Sequence, residues 1–377
     1  MSTESGQTVQ AEKPAQGEAV EEEALEGYEG PSPGGWEEYP LDQLAIRDER
    51  RTAIDVVRRI KQDRFVLDPD FQRDFVWHQE KQSRLIESIL MRIPLPVFYV
   101  AEDERGRLIV VDGRQRLTTL QRFLEGELRL NLPDRPELHG KRLTDLDVRL
   151  QNRVEDCQLL FYIIDHSVPE RARLDIFERV NGGEVLTRQQ MRNAIYNGPA
   201  TVFLREEAAS DLFVDVTGRS LNAKKMQDRE FINRFCAFSI FPIEQYRGNM
   251  DEWLARALRE MNANVALIDD LRIKLHRSLR NNKAAFGKHA FRKHWQANQP
   301  RSVLNASLFD VMSTGLASVD EALAVERAES LRLAFYSKLM NNPEFIKAVT
   351  YSPNTPREVR KRFEIGRQVL GEVFGDS

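Results

Sequence analysis

The stretch that most constrains this chain is IVVDGRQRLTTL, residues 109–120. Three β-branched apolar residues run into Asp-Gly, and RQRLTTLQRFL at 114–124 has helical spacing. A strand that enters a helix through one glycine presents the first helical N–H groups and the positive end of the dipole, which together form an anion site. Gly113 removes a side chain, so a phosphate can approach the backbone. Arg114 and Arg116 add donors of phosphate geometry. Asp112 offers a hard oxygen for a divalent cation or a positioned water. A plainer reading uses the same residues, with Asp112 as an N-cap and Gln115 as its capping-box partner. The stretch is no P-loop, so both readings stand on spacing alone.

Around this junction short strands alternate with helices. Residues 52–62 and 79–92 read as helices, VFYV and LIVV as strands, and CQLLFYII closes the pattern near 164. That alternation predicts a small α/β domain over 41–166. After 168 the strand signals fade, and 167–377 reads as an all-helical domain, a bundle in outline. The expected class is therefore α+β. Residues 1–40 hold ten Glu and one Lys, with no Asp or Arg, so this tail carries −9 and the remainder of the chain +5. Its composition predicts a disordered acidic tail. A sharper reading has it occupy a basic site on the same protein or on a partner. No apolar run approaches the roughly 18–20 residues of a membrane span. Cys157 and Cys236 give neither metal spacing nor a disulfide framework, which points to a cytoplasmic protein with no membrane partner.

Four further stretches carry chemistry-bearing side chains. DPDFQRDFVWHQEKQ (68–82) offers Gln72, Arg73 and Trp77, although Arg73 can simply pair with Asp70 or Asp74. FERVNGGEVLTRQQMRNAIYNG (177–198) reads as a helix, a turn and a second helix capped by Thr187 with Gln190 at the box position. Residues 271–309 contain nine Lys or Arg and no Asp or Glu, with Phe291 and Trp295 interleaved. Within that run Arg280, Lys283, Lys288, Arg292 and Lys293 are the candidates to hold DNA phosphates, in competition with a merely solvated face. Asp165-His166-Ser167-Val168-Pro169 mimics the start of an HNH nuclease metal site, but no Asn/His pair completes it. His289 and His294, five apart, are poor metal ligands.

In order, FQRDFVW, LPVFYV, VVDGRQRLTTL and IFERVNGGEVLT resemble the N-terminal domain of GmrSD-type restriction endonucleases, a family similar in fold to ParB and sulfiredoxin nucleotide-binding domains. TPREVRKRFEI, with Thr355 and Arg362, resembles the family's terminal helix. The resemblance implies a ParB/sulfiredoxin-like mixed-sheet domain with a nucleotide site at Asp112, Gly113, Gln115 and Arg116. Gln72 and Arg73 would face the site by the same resemblance, and Arg114 and Thr118 are expected as further nucleotide contacts. Arg114 stands where the usual signature, Asp-Gly-Gln-Gln-Arg, has its first glutamine. The implied activity is hydrolysis of an NTP (GTP, CTP, UTP or ATP) with Mg2+. In that role Asp112 would hold metal or orient water, Gln115 would position the attacking water and Arg116 would complete the catalytic set. The implied setting is DNA-directed phage defence with DNA as a partner; no HNH pattern is visible, so the chain either lacks nuclease activity or borrows it from a partner nuclease or other defence protein. The alternatives are a non-hydrolysing nucleotide or DNA sensor, and a ParB-like nuclease using Asp70, Asp74 and Asp112.

Overall fold

The computed structural model describes residues 25–27, 45–67, 77–180 and 187–375. The N-terminal part runs β1 (Ile46–Thr52), α1 (Ala53–Lys61), β2 (Phe65–Val66), α2 (Gln79–Leu90), β3 (Phe98–Glu102), β4 (Leu108–Asp112), α3 (Arg114–Leu124), α4 (Val148–Glu155), β5 (Gln158–Ile164), α5 (Glu170–Val180) and α6 (Arg188–Ile195). The five strands form one mixed sheet in the order β1-β5-β3-β4-β2. β2 pairs parallel with β4, and β3 pairs parallel with β5. The β3–β4 and β1–β5 pairs are antiparallel. The expected mixed-sheet domain followed by helices is what the chain forms.

The strands read as continuous apolar runs because both faces of the sheet are covered. Phe98, Val100, Val110, Leu159, Phe161 and Ile163 pack with α1 to α4 on one side. Ala101, Ile109 and Ile164 pack on the other side with Leu174, Phe177, Met191 and Ala194 of α5 and α6. The packing unit therefore extends through α6, beyond the boundary expected at 166. β1 carries the sequence IRDERRT and shows no apolar alternation, so the sequence reading missed it. It is an edge strand, where charge is tolerated and deters sheet-to-sheet aggregation. Its arginines pair locally, Arg47 with Glu102 at 2.8 Å and Arg51 with Glu49 and Asp55.

The helical part comprises α7 (Pro199–Ala208), α8 (Asp211–Thr217), α9 (Gln227–Ile240), α10 (Met250–Ala263), α11 (Ala266–Phe286), α12 (Ala306–Gly315), α13 (Glu321–Glu326), α14 (Ala328–Ala334), α15 (Pro343–Thr350) and α16 (Pro356–Phe374). One apolar core runs through it. The acidic tail is not free throughout. Glu26 N–H donates to the Leu304 carbonyl (2.9 Å), and Ala306 N–H donates to the Glu26 carbonyl (2.8 Å). The Glu26 carboxylate pairs with Lys293, and Leu25 packs against the core. The expectation of disorder over 1–40 fails at these three residues, because backbone pairing and a buried-side cation hold them. The rest of that tail, up to residue 40, lies outside the described residues.

His289 and His294 stack with ring centroids 4.7 Å apart, and both are buried. His294 Nδ1 donates to the Arg292 carbonyl at 2.8 Å, and Phe335 and Tyr336 close over the ring. Burial pushes the His294 imidazole down to about 4 from an ordinary 6.5. The unfolded chain therefore takes up this proton near 6.5 and the folded chain near 4. The associated stability is fully present above pH 6.5 and is lost as pH falls toward 4, by about 3 kcal/mol. Urea titrations at pH 7 and pH 4.5 check this. The wild type should lose more stability between the two than His294→Phe, in which the titration is gone.

Candidate functional site

The strand–helix junction sits where the carboxyl ends of two parallel strands meet. β2 and β4 run the same way, with Phe65 opposite Leu108 and Val66 opposite Ile109, so both leave the sheet at the edge that carries Asp112. β3 begins there too, with Tyr99 opposite Asp112. Ligands of open α/β sheets bind in this kind of crevice.

Gly113 is the N-cap of α3, at φ 97 and with no side-chain cap. A Cβ at this position would lie 2.3 Å from Phe98 Cδ1 and 3.1 Å from an Arg116 guanidinium nitrogen. Only glycine meets both the left-handed backbone and the close approach. The helical ladder opens with Leu117 N–H donating to the Gly113 carbonyl at 2.9 Å. The N–H groups ahead of Leu117 thus have no helical acceptor, as at any helix start, and the positive end of the dipole lies at this turn.

Arg116 is not the freely presented phosphate ligand that the sequence suggests. Its guanidinium donates to the Pro96 and Val97 carbonyls and to Asp112 Oδ2 (2.8 Å), and it lies 4.3 Å from the Phe98 ring centroid. Burial lowers its pKa, and the Asp112 carboxylate works against that shift. The residue clamps α3 to the loop before β3 and fixes the Asp112 carboxylate, so it is a positioning residue. The capping-box reading is also corrected. Asp112 turns to Arg116, and the cap position belongs to Gly113. Gln115 Oε1 is buried and has no hydrogen-bond partner among the described residues. An orphaned buried acceptor of this kind costs about 1–3 kcal/mol until something donates to it. Arg114 and Thr118 are half-buried on the first two turns of α3. Gln72 and Arg73 lie outside the described residues, as do Asp70 and Asp74. Sequence reasoning missed Phe98, whose ring both carries Arg116 and excludes a side chain at 113. The only available signal was its place in VFYV, directly after the Pro96 stop.

Other candidates are placed less favourably. Glu102, Asp165 and His166 bring potential ligand atoms within 4.8 Å of one another. Arg47 already sits on this group, 2.8 Å from Glu102 and 3.5 Å from Asp165, so its charge is answered without a metal. The basic run at 271–309 is not an open cationic face. Arg280 forms a bidentate pair with Glu321, and Lys283 pairs with Asp215 at 2.7 Å. Lys293 pairs with Glu26. Arg292 is 1% exposed and donates to the Ser302 and Thr217 carbonyls and to Ser220 Oγ. Arg292 is therefore a buried tie between segments and not a DNA contact. Of the five, Lys288 alone is exposed with no ion pair among the described residues.

The fold and junction define an α/β domain with a left-handed glycine turn at the carboxyl edge of its sheet. Residues 54–197 match the family model described as the GmrSD restriction endonuclease, N-terminal domain. The matched segment ends two residues past α6 and covers the unit that packs around the sheet apart from the edge strand β1. The resemblance read from the sequence is thus shown for this segment. Comparisons with curated proteins and with solved structures gave no match. Among the described residues no helix is long and apolar enough to cross a membrane.

Proposed function

We propose that this chain is a nucleoside-triphosphate-binding and hydrolysing component of a restriction or phage-defence system, acting with DNA and with a nuclease supplied by a partner. The observation that carries the reading is the junction itself. The N-terminus of α3, an obligate glycine, Arg114 and a buried Gln115 amide oxygen with no partner among the described residues all fall within one turn of chain at the carboxyl edge of the sheet. The phosphate groups take the N–H groups and Arg114. Gln115 Oε1 accepts from the attacking water or from a nucleotide hydroxyl. The second oxygen of Asp112, held by the Arg116 clamp, is the available hard ligand for Mg2+, whose usual shell is one or two carboxylates with phosphate oxygens and waters. Bound there, the ion would supply charge neutralisation of the phosphoryl group.

Phosphate release from GTP, ATP, CTP and UTP, with and without DNA, tests this. Asp112→Asn keeps an acceptor for Arg116 and should lower turnover about 100-fold. Equal rates for wild type and Asp112→Asn would remove Asp112 from the chemistry. Gln115→Leu should weaken nucleotide binding about 10-fold without lowering the melting temperature, because the orphan acceptor leaves with the amide. A drop in melting temperature with unchanged binding would make Gln115 structural.

The commitment of Arg116 to carbonyls and Asp112 favours one second reading, a module that binds nucleotide without turnover. Its signature is thermal stabilisation by an NTP that rises with concentration while no phosphate is released.

A further inference from the structure

Residues Leu25, Glu26 and Gly27 sit on the helical part as an added strand sits on a sheet edge. Glu26 pairs in parallel with Asn305, and on the other side Leu304 pairs antiparallel with Arg292. The backbone bonds of Glu26 use two groups that the helical part leaves unmatched. Ala306 opens α12, so its N–H has no helical acceptor, and the Leu304 carbonyl has no other partner among the described residues. Leu304, Asn305 and Ala306 are all fully buried. Without an occupant each orphaned group would cost about 1–3 kcal/mol. The side chains are matched as well. Leu25 packs against the apolar core, and the Glu26 carboxylate takes Lys293, whose Nζ also donates to Thr350 Oγ1 at 3.3 Å. Gly27 is buried at φ 65, where a Cβ would lie 2.9 Å from the Val349 carbonyl oxygen and 3.1 Å from Ser307 Oγ. Ser307 Oγ is itself buried with no hydrogen-bond partner among the described residues.

A chance contact of an acidic tail would need only opposite charge. This one matches backbone, apolar surface, charge and a glycine-only turn at three consecutive residues. Peptide receptors that work by strand addition combine the same elements: main-chain bonds supply affinity, and places for particular side chains supply specificity. We infer that the helical part carries a receptor groove for an extended Leu-Glu-Gly peptide, filled in cis by residues 25–27 of the same chain. The acidic tail is then a tethered and displaceable strap, and an extended peptide with the same three residues competes with it. A tethered ligand acts at an effective concentration on the order of 1 mM, so a groove of modest intrinsic affinity stays occupied. The groove shares no residue with the junction at 112–116, so it goes beyond the function proposed above and does not depend on it.

The test titrates a labelled peptide of residues 20–32, VEEEALEGYEGPS, with the full chain and follows fluorescence anisotropy. Gly27→Val in the chain evicts its own tail and leaves the groove free. That variant should bind the peptide with Kd at or below about 100 μM, and the wild type about 10-fold more weakly, because its tail competes. A peptide carrying Gly27→Val should not bind. A peptide carrying Glu26→Lys should bind at least 10-fold more weakly, and a chain that adds Lys293→Glu should reverse that preference. Amide exchange at Ala306 should be at least 10-fold faster in the Gly27→Val chain than in wild type and should slow again when the peptide is added. Should Gly27→Val fail to fold, Glu26→Lys, which spares the backbone, serves as the undocked chain. Absence of peptide binding to the undocked chain overturns the inference. So does equal binding by undocked and wild-type chains, or binding that ignores both peptide substitutions. Light scattering should give one mass for wild type and Gly27→Val. A wild-type dimer that Gly27→Val dissolves would make the tail of a second copy the occupant and overturn the assignment in cis.

Discussion

Asp310→Ala is expected to destabilise the helical part by about 4 kcal/mol. Asp310 is fully buried on α12 and accepts from two arginines that are themselves buried. Arg234 of α9 reaches it through Nε at 2.8 Å and a terminal nitrogen at 2.5 Å, and Arg362 of α16 donates to Oδ2 at 2.9 Å. One carboxylate thus answers two guanidinium groups out of reach of water. Burial presses down on the pKa of both. The nearby Asp310 charge more than offsets this at Arg234 but not at Arg362. Removing the carboxylate strands two buried cations at once. The melting temperature should fall by about 10 °C. A loss under about 1 kcal/mol in urea titration would mean that water or another carboxylate replaces Asp310. Arg362 is the residue that the sequence singles out in the terminal helix, and its role here is to tie α16 to α12 through this carboxylate.

Gly113→Ala should cost about 3 kcal/mol and abolish nucleotide binding at the junction. Two penalties add. Holding a residue with a Cβ at φ 97 costs about 1–2 kcal/mol. The Cβ would also stand 2.3 Å from the Phe98 ring, whose other side supports strand β5 through Phe161, with centroids 5.1 Å apart. The ring cannot retreat, and overpacking of this kind costs about 1–3 kcal/mol. If α3 shifts instead, the Arg116 clamp on Pro96, Val97 and Asp112 opens and the first-turn N–H groups move. A variant that melts like wild type would show that Phe98 yields.

Strands Phe98–Glu102, Leu108–Asp112 and Gln158–Ile164 were legible because each is an apolar run bounded by turn residues. Helix Arg114–Leu124 was legible to the residue, and so was the Thr187–Gln190 capping box. What the sequence hid was pairing between distant segments. β1 has charge on both faces because it is an edge strand, so no alternation marks it. The basic run at 271–309 looked like an open cationic surface, yet its counter-charges arrive from Glu26, Glu207, Asp215 and Glu321. Arg292 looked exposed because arginine usually is. Its burial depends on acceptors at Thr217, Ser220 and Ser302, which converge only in the fold. At the junction the residue types were legible and their division of labour was not. Spacing allowed Asp112 to cap the helix, but the left-handed Gly113 took the cap and sent Asp112 to Arg116.

The most direct test of the junction is the response of individual backbone amides to a non-hydrolysable triphosphate with Mg2+, followed by NMR on the full chain. The account predicts that the Gln115 and Arg116 amides shift together and saturably, with the Gln115 side-chain amide moving at the same ligand concentration. Saturable binding that leaves these resonances in place, with shifts confined to other segments, would contradict it.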